Sequence, residues 1–296
     1  MLAVITGCNR SGTTLVGRVL NSHPDAVVTN EFEGFKMLDE DFSTFRKHVM
    51  ALWLSARNRP FLLEDQMWDV GCYDKKTRHK RQGSFACKVS KIIQLYFLQN
   101  TNYILRYLFH IYRQKPEIVD AAVIESAYKA MFAGVRMFGD VGPIYTYYME
   151  RLTALQALDF IIVYRDPRDV VSRILSRMRP RYWENESIMR DNDLRNWWPE
   201  EMGDVSFVAE RWLHFIAQME RFADQAYVVR YEDLVTDTRP ILQDLGDRFD
   251  LDPDKFNPHL IIPGGNIGEY RNLLSDQEIA AVLEVTGSTM QRLGYS

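Results

Sequence analysis

Residues 2–18 read Leu2-Ala3-Val4-Ile5-Thr6-Gly7-Cys8-Asn9-Arg10-Ser11-Gly12-Thr13-Thr14-Leu15-Val16-Gly17-Arg18. A short β-rich apolar run leads into a glycine-bounded loop, and a helix-period stretch follows at 13–21. Such a junction turns the backbone N–H groups of the loop and of the first helical turn onto one point, which is a ready anion site. Gly7 and Gly12 have the spacing of the Walker pattern, G-x-x-x-x-G-K-[ST], but Thr13 stands where its lysine belongs and Thr14 takes the Ser/Thr place. A nucleoside triphosphatase would be missing its main cation. Arg10 brings a planar fork of donors suited to a phosphate or sulfate. Taken alone, the motif also reads as a capped, glycine-rich βα turn.

Working outward, further apolar runs without alternation occur at 26–29, 85–89, 135–138, 160–164 and 226–229. Continuous hydrophobicity predicts strands buried on both faces, hence a parallel sheet. Helix-period stretches at 144–158, 169–178, 207–222 and 239–249 lie between and after them. Strand alternating with helix predicts an α/β, P-loop-like three-layer fold, a central parallel sheet flanked by helices. The run at 160–164 ends in Arg165, so the acidic residue that would support Mg²⁺ in a nucleotide hydrolase is also missing. Two stretches break the alternation, a mainly helical one at about 36–129 and a Trp- and charge-rich one at 179–204. With no repeat or Gly/Ser linker to separate them, they read as helical insertions in one domain spanning 1–296.

Composition narrows the function. Thirty-six basic and 40 acidic residues give a formal net charge of −4, which disfavours a general nucleic-acid or anionic-membrane binder. Any anion must therefore be held locally. Three widely spaced cysteines, Cys8, Cys72 and Cys87, form no Cys-x-x-Cys pair, so neither a disulfide framework nor a thiolate zinc site is expected. The six histidines, His23, His48, His79, His110, His214 and His259, lack ligand spacing, and no metal is expected. No signal peptide or stretch of about 18 apolar residues occurs. A cytoplasmic protein without a membrane anchor is the expectation.

The second chemical signal is Ile161-Ile162-Val163-Tyr164-Arg165-Asp166-Pro167-Arg168-Asp169-Val170-Val171-Ser172, a buried strand that delivers an arginine and then a helix. With both signals present, the chain resembles the bacterial-type sulfotransferases that use 3′-phosphoadenosine 5′-phosphosulfate (PAPS), with motifs similar to tyrosylprotein and carbohydrate sulfotransferases. Arg10 to Leu15, followed by Asn21-Ser22-His23-Pro24, resembles their 5′-phosphosulfate loop, and Arg165 to Val170 their 3′-phosphate motif. Val229-Arg230-Tyr231-Glu232-Asp233-Leu234, and Ile267-Gly268 through Arg271 to Leu274 followed by Leu293-Gly294-Tyr295, resemble later family segments.

The resemblance implies a metal-free sulfuryl transfer from PAPS to a hydroxyl, leaving adenosine 3′,5′-bisphosphate. Arg10, Ser11, Gly12, Thr13 and Thr14 would then hold the 5′-phosphosulfate, Arg165 with Ser172 or Arg173 the 3′-phosphate, and Tyr231 and Arg271 the rest of the nucleotide. It also implies a catalytic glutamate after the second strand, at Glu31. In a parallel sheet, a second strand beside the first brings Glu31 to the phosphate loop. Glu33 is the competing carboxylate, and a solvated loop acid is the plain reading of either. His23 suits a capping role better than catalysis.

The chain departs from the family at three points. Relatives carry Asp-Lys-x-Pro where this chain reads Asp140-Val141-Gly142-Pro143, so the lysine that touches the sulfuryl group is lacking. Lys88 is a candidate substitute and equally a surface lysine. The family's 3′-phosphate serine sits one position after Ser172, at Arg173, and Glu269 occupies an arginine position. The acceptor is expected to be a small molecule carrying a hydroxyl, aromatic or a natural product, met by Arg181, Tyr182, Trp183, Trp197 and Trp198 or by none of them if these only pack the loop. The competing functions are a P-loop kinase or nucleotide hydrolase, and a nucleotide-binding module without turnover.

Overall fold

The computed structural model describes residues 1–55, 100–182 and 203–295. The strand expected at 85–89 and the residues Lys88, Trp183, Trp197 and Trp198 lie outside them. The elements that organise the chain begin with β1 (Leu2–Gly7), α1 (Thr13–Asn21), β2 (Ala26–Asn30), β3 (Glu40–Asp41) and α2 (Phe42–Ser55). Then come α3 (Asn100–Arg113), β4 (Ile118–Val119), α4 (Ala121–Met131), β5 (Met137–Val141), α5 (Met149–Ala154) and β6 (Asp159–Tyr164). The C-terminal half adds α6 (Pro167–Tyr182), α7 (Val205–Glu220), β7 (Ala226–Arg230), α8 (Tyr231–Thr236), α9 (Thr238–Phe249), α10 (Tyr270–Leu273) and α11 (Asp276–Arg292).

A five-stranded parallel sheet flanked by helices carries the fold, in the order β2-β5-β1-β6-β7. All residues of β1 and β5 are buried, as continuous apolar runs predict for strands covered on both sides. The order corrects one expectation, because β5 stands between β1 and β2 and keeps the second strand from lying beside the first. Their carboxyl ends are nevertheless level, with Val141 in register with both Ile5 and Asn30.

Two boundaries differ from the sequence reading. The strand expected at 135–138 is β5 at Met137–Val141, because Gly139 and Asp140 belong to the strand rather than to a turn. Gly139 fits there for a packing reason: a Cβ would sit 3.3 Å from the side chains of Ile5 and Val28. The helix expected over 144–158 is instead a 3-10 turn, Pro143–Tyr148, followed by the short α5. Its aromatic and β-branched residues lose side-chain freedom in an α-helix, which weakens that alternative. Within the stretch 36–129, the described residues form the helices α2, α3 and α4 and also an antiparallel pair, Glu40 with Val119 and Asp41 with Ile118.

The chain forms two compact units. The first comprises Met1–Thr6, Thr14–Ile161 and Arg239–Leu260, with Val28, Tyr107, Tyr128, Phe138, Leu152 and Phe249 in its core. The second comprises Gly7–Thr13, Ile162–Thr238 and Ile261–Ser296, and buries Val163, Ile174, Trp212, Phe215, Val229 and Met290. No helix among the described residues is long and apolar enough to cross a membrane.

Candidate functional site

In the second unit, the loop that ends β1 is a tight turn closed by Ser11 N–H donating to Cys8 O at 3.0 Å. Arg10 takes the left-handed backbone region at φ 71°, and Gly12 lies at φ 102°. Gly12 is also required by space, since a Cβ would fall 2.4 Å from Cδ2 of the Tyr231 ring. Ser11 and Thr13 are buried, and Thr14 is exposed. Burial pushes the Cys8 thiol up to about 12, so it remains a protonated packing residue rather than a nucleophile.

Arg165 follows β6 with only 5% exposure. Its guanidinium donates to Arg10 O at 3.1 Å and Asn266 O at 2.7 Å. It also stacks 4.2 Å from the centre of the Tyr231 ring, while its own carbonyl accepts from the indole N–H of buried Trp212 at 3.2 Å. Both ends of the residue are therefore fixed. The carboxylate that pairs with it, Asp169, lies 3.9 Å away and is itself committed, accepting from the Gly268 and Tyr270 amides at 2.9 and 3.0 Å. Desolvation raises the Asp169 carboxyl above its ordinary value despite those bonds.

The other charged residues of the 165–169 motif serve local structure. Asp166 accepts from the Arg168 amide at 2.8 Å and from its guanidinium at 2.6 Å, the geometry of an N-cap ahead of Pro167 at the first position of α6. Ser172 is fully buried and donates to Asp169 O at 3.0 Å. Arg173 is the more exposed of the two 3′-phosphate candidates, and bonds to Asn266 Oδ1 and pairs with Glu269. Arg271 stacks on Tyr270 at 4.7 Å. Tyr231 donates its hydroxyl to Gly265 O at 2.6 Å, which ties it to the segment containing Asn266.

Three buried polar atoms in this cluster have no hydrogen-bond partner among the described residues: Asn9 Oδ1, Ser11 Oγ and Arg165 Nε. Leaving each unpaired costs on the order of 1–3 kcal/mol, and such clusters mark places where a ligand completes the bonding. Asn9 and Asn266 are the members that motif reading missed. Asn9 sits inside the quoted loop as an unremarkable x, and Asn266 acts largely through its backbone carbonyl, which no side-chain pattern announces.

The first unit holds the carboxylates. Glu31 and Glu33 both adopt left-handed backbone, at φ 53° and 58°, and the Glu31 amide donates to Val141 O at 2.6 Å. Glu33 is paired with Lys36 at 2.6 Å, which commits its carboxylate to structure. Asp140, fully buried, accepts from Thr29 Oγ1 at 2.7 Å, Phe32 N at 3.2 Å, Glu33 N at 2.7 Å and the Tyr145 hydroxyl at 2.5 Å. His23 packs against Phe256 with ring centres 5.1 Å apart, and its Nδ1 accepts from the Asp25 amide at 3.0 Å, the structural role expected of it. Among the described residues no cluster of His, Cys, Asp or Glu could hold a metal ion.

A family model described as the sulfotransferase family matches residues 3–255. The sulfotransferase domain of the Synechococcus PCC 7002 olefin synthase is similar over 96% of this chain and 92% of its own, with a TM-score of 0.50 at 15% identity. Also similar are the sulfotransferase domain of the curacin biosynthetic pathway, at 18% identity over 100% and 98% of the two chains and a TM-score of 0.48, and sulfotransferase STF9 of Mycobacterium avium, at 12% over 99% and 77% and a TM-score of 0.47. At 15% identity the likeness to the olefin synthase domain concerns the fold. No curated protein matches by sequence.

Proposed function

This chain belongs to the sulfotransferase family, and from that premise we propose that it moves the sulfuryl group of PAPS to a hydroxyl of a small-molecule acceptor. The reading rests on one observation: a phosphate-type loop without a Walker lysine, grouped with a fixed arginine and three unpaired buried polar atoms. Loop amides and the Asn9 and Ser11 side chains suit a phosphosulfate, and the Arg165 Nε–H suits a second phosphate.

In the proposed reaction the acceptor oxygen attacks sulfur in line with the bridging oxygen of the donor. The new O–S bond forms as the S–O bond to the phosphate breaks, and adenosine 3′,5′-bisphosphate leaves with the electron pair. Glu31 takes the hydroxyl proton as general base, a contribution of about 10² to 10⁴ in rate for such groups. Arg10 and the loop amides stabilise the charge that builds on the leaving phosphate. No metal step is needed for this balance. Lys88 is the further candidate cation, standing in for the charge Val141 lacks.

Thermal unfolding with adenosine 3′,5′-bisphosphate, set beside ADP and ATP with Mg²⁺, tests the donor. Ligand at 100 times its Kd adds about 2.7 kcal/mol, and each kcal/mol raises the midpoint of a chain this size by about 2–4 °C. Stabilisation by the bisphosphate alone is expected. Stabilisation confined to ATP with Mg²⁺ would overturn the donor assignment.

A further inference from the structure

Among the described residues, Asp140 is a carboxylate with four donors and no cation beside it. None of its partners carries a positive charge: they are a hydroxyl on β2, two amides of the following turn and the Tyr145 phenol. A buried acid in this setting is costly to keep, and two of the amides it accepts from, those of Phe32 and Glu33, belong to a turn with unfavourable backbone. Glu31 and Glu33 bracket Phe32 in the left-handed region, where a non-glycine residue is strained and persists only if its surroundings over-determine it.

Asp140 and its neighbours supply that determination from Thr29 to Phe35. Oδ1 takes Thr29 and Phe32, and Oδ2 takes Glu33 and Tyr145. The Tyr145 oxygen in turn accepts from the Phe35 amide at 3.4 Å, and the Glu31 amide is bonded to the carbonyl of Val141, the residue after Asp140. Glu31 is thus held through its backbone on both sides by the end of β5.

We propose that Asp140 is a positioning residue for Glu31: its buried carboxylate clamps the turn after β2 and fixes the direction in which the base presents itself to the acceptor. The proposal rests on Glu31 being the base. It explains why an acid stands at the end of β5 although Val141 provides no lysine beside it. The ionisable groups facing Asp140 are Tyr145 on the following 3-10 turn, Tyr107 on α3 and Glu33 on the clamped turn itself.

A double-mutant cycle on turnover separates positioning from plain stability. The probe is labelled PAPS with the best acceptor from a panel of phenols and aliphatic alcohols. Glu31→Gln should lower kcat by about 10² to 10⁴ fold. Asp140→Asn keeps Oδ1 but turns an amide N–H toward the Glu33 amide and the Tyr145 hydroxyl, both of which are donors. It should lower kcat by about 10- to 100-fold, the scale of a misplaced reacting group, while leaving the Kd for adenosine 3′,5′-bisphosphate unchanged. Added to Glu31→Gln, it should cost less than about threefold more, because coupled residues are not additive.

Amide hydrogen exchange at Phe32 and Glu33 should also speed up in Asp140→Asn, a readout that needs no acceptor. Tyr145→Phe, which removes one donor and no charge, runs the same cycle if Asp140→Asn does not fold. Tyr145→Phe removes two hydrogen bonds, the one to Asp140 and the one from the Phe35 amide, and predicts a decrease of about 2- to 12-fold for each. Equal losses in both Glu31 backgrounds, or unchanged exchange at the two amides, would overturn the positioning role alone. Harmless Glu31→Gln would overturn the base itself, and the positioning with it.

Discussion

Arg165, 5% exposed, is hydrogen-bonded to two carbonyl oxygens and lies 3.9 Å from Asp169, while its Nε–H has no partner among the described residues. A phosphate brought to its Nε–H would gain a charge-assisted bond worth about 1.5–3 kcal/mol. Arg165→Ala is therefore expected to weaken bisphosphate binding about 10- to 100-fold by calorimetry; equal affinity would refute the contact. This residue was legible in the sequence because strand, arginine and helix follow one another within a few positions. Asn266 and Asp140 were not, because their roles come from partners about a hundred positions away. The sequence reading noticed what position 141 lacks and passed over the acid beside it.

At the scale of elements, local chemistry predicts boundaries well where caps are explicit. Helix α11 starts with a reciprocal capping box in which Ser275 Oγ accepts from the Glu278 amide at 3.3 Å and the Glu278 carboxylate accepts from the Ser275 amide at 2.8 Å. Ser275→Ala should cost about 1 kcal/mol of stability, measured as a shift in the denaturant midpoint with an unchanged m-value. An unchanged midpoint would mean that packing of Val282, Thr286 and Met290 alone holds the helix. The 143–154 segment shows the opposite case. Its apolar period reads as one helix, yet the aromatic run and the proline set a 3-10 turn first, and that turn is what delivers Tyr145 to Asp140.

For the whole molecule, the buried carboxylates set a pH dependence of stability. Burial raises Asp140 to about 7 and moves Asp169 and Glu232 upward as well. A carboxyl whose folded value exceeds its unfolded one binds more protons when folded, so its stabilisation is fully present below the ordinary carboxylate value. For Asp140 that stabilisation is lost as pH rises through about 7. His23 and His48 act with the opposite sign, being lowered by burial; their contribution is lost as pH falls below the ordinary histidine value. The clean comparison is the difference between wild type and Asp140→Asn in denaturant unfolding at pH 5 and pH 8. Wild type should lose stability relative to the variant as pH rises, and parallel curves would show that Asp140 does not titrate in this range.

The order β2-β5-β1 has a temporal side. β1 and β2 are made early, but the strand that joins them is β5, more than a hundred residues later. At ribosomal speeds of about 5–20 residues per second, the first two strands wait about 5–20 s for their partner, apolar on both faces and with open edges. Contacts so distant along the chain also slow refolding of the free protein. Slowing translation across residues 31–136 would lengthen the exposure of the unfinished sheet rather than relieve it.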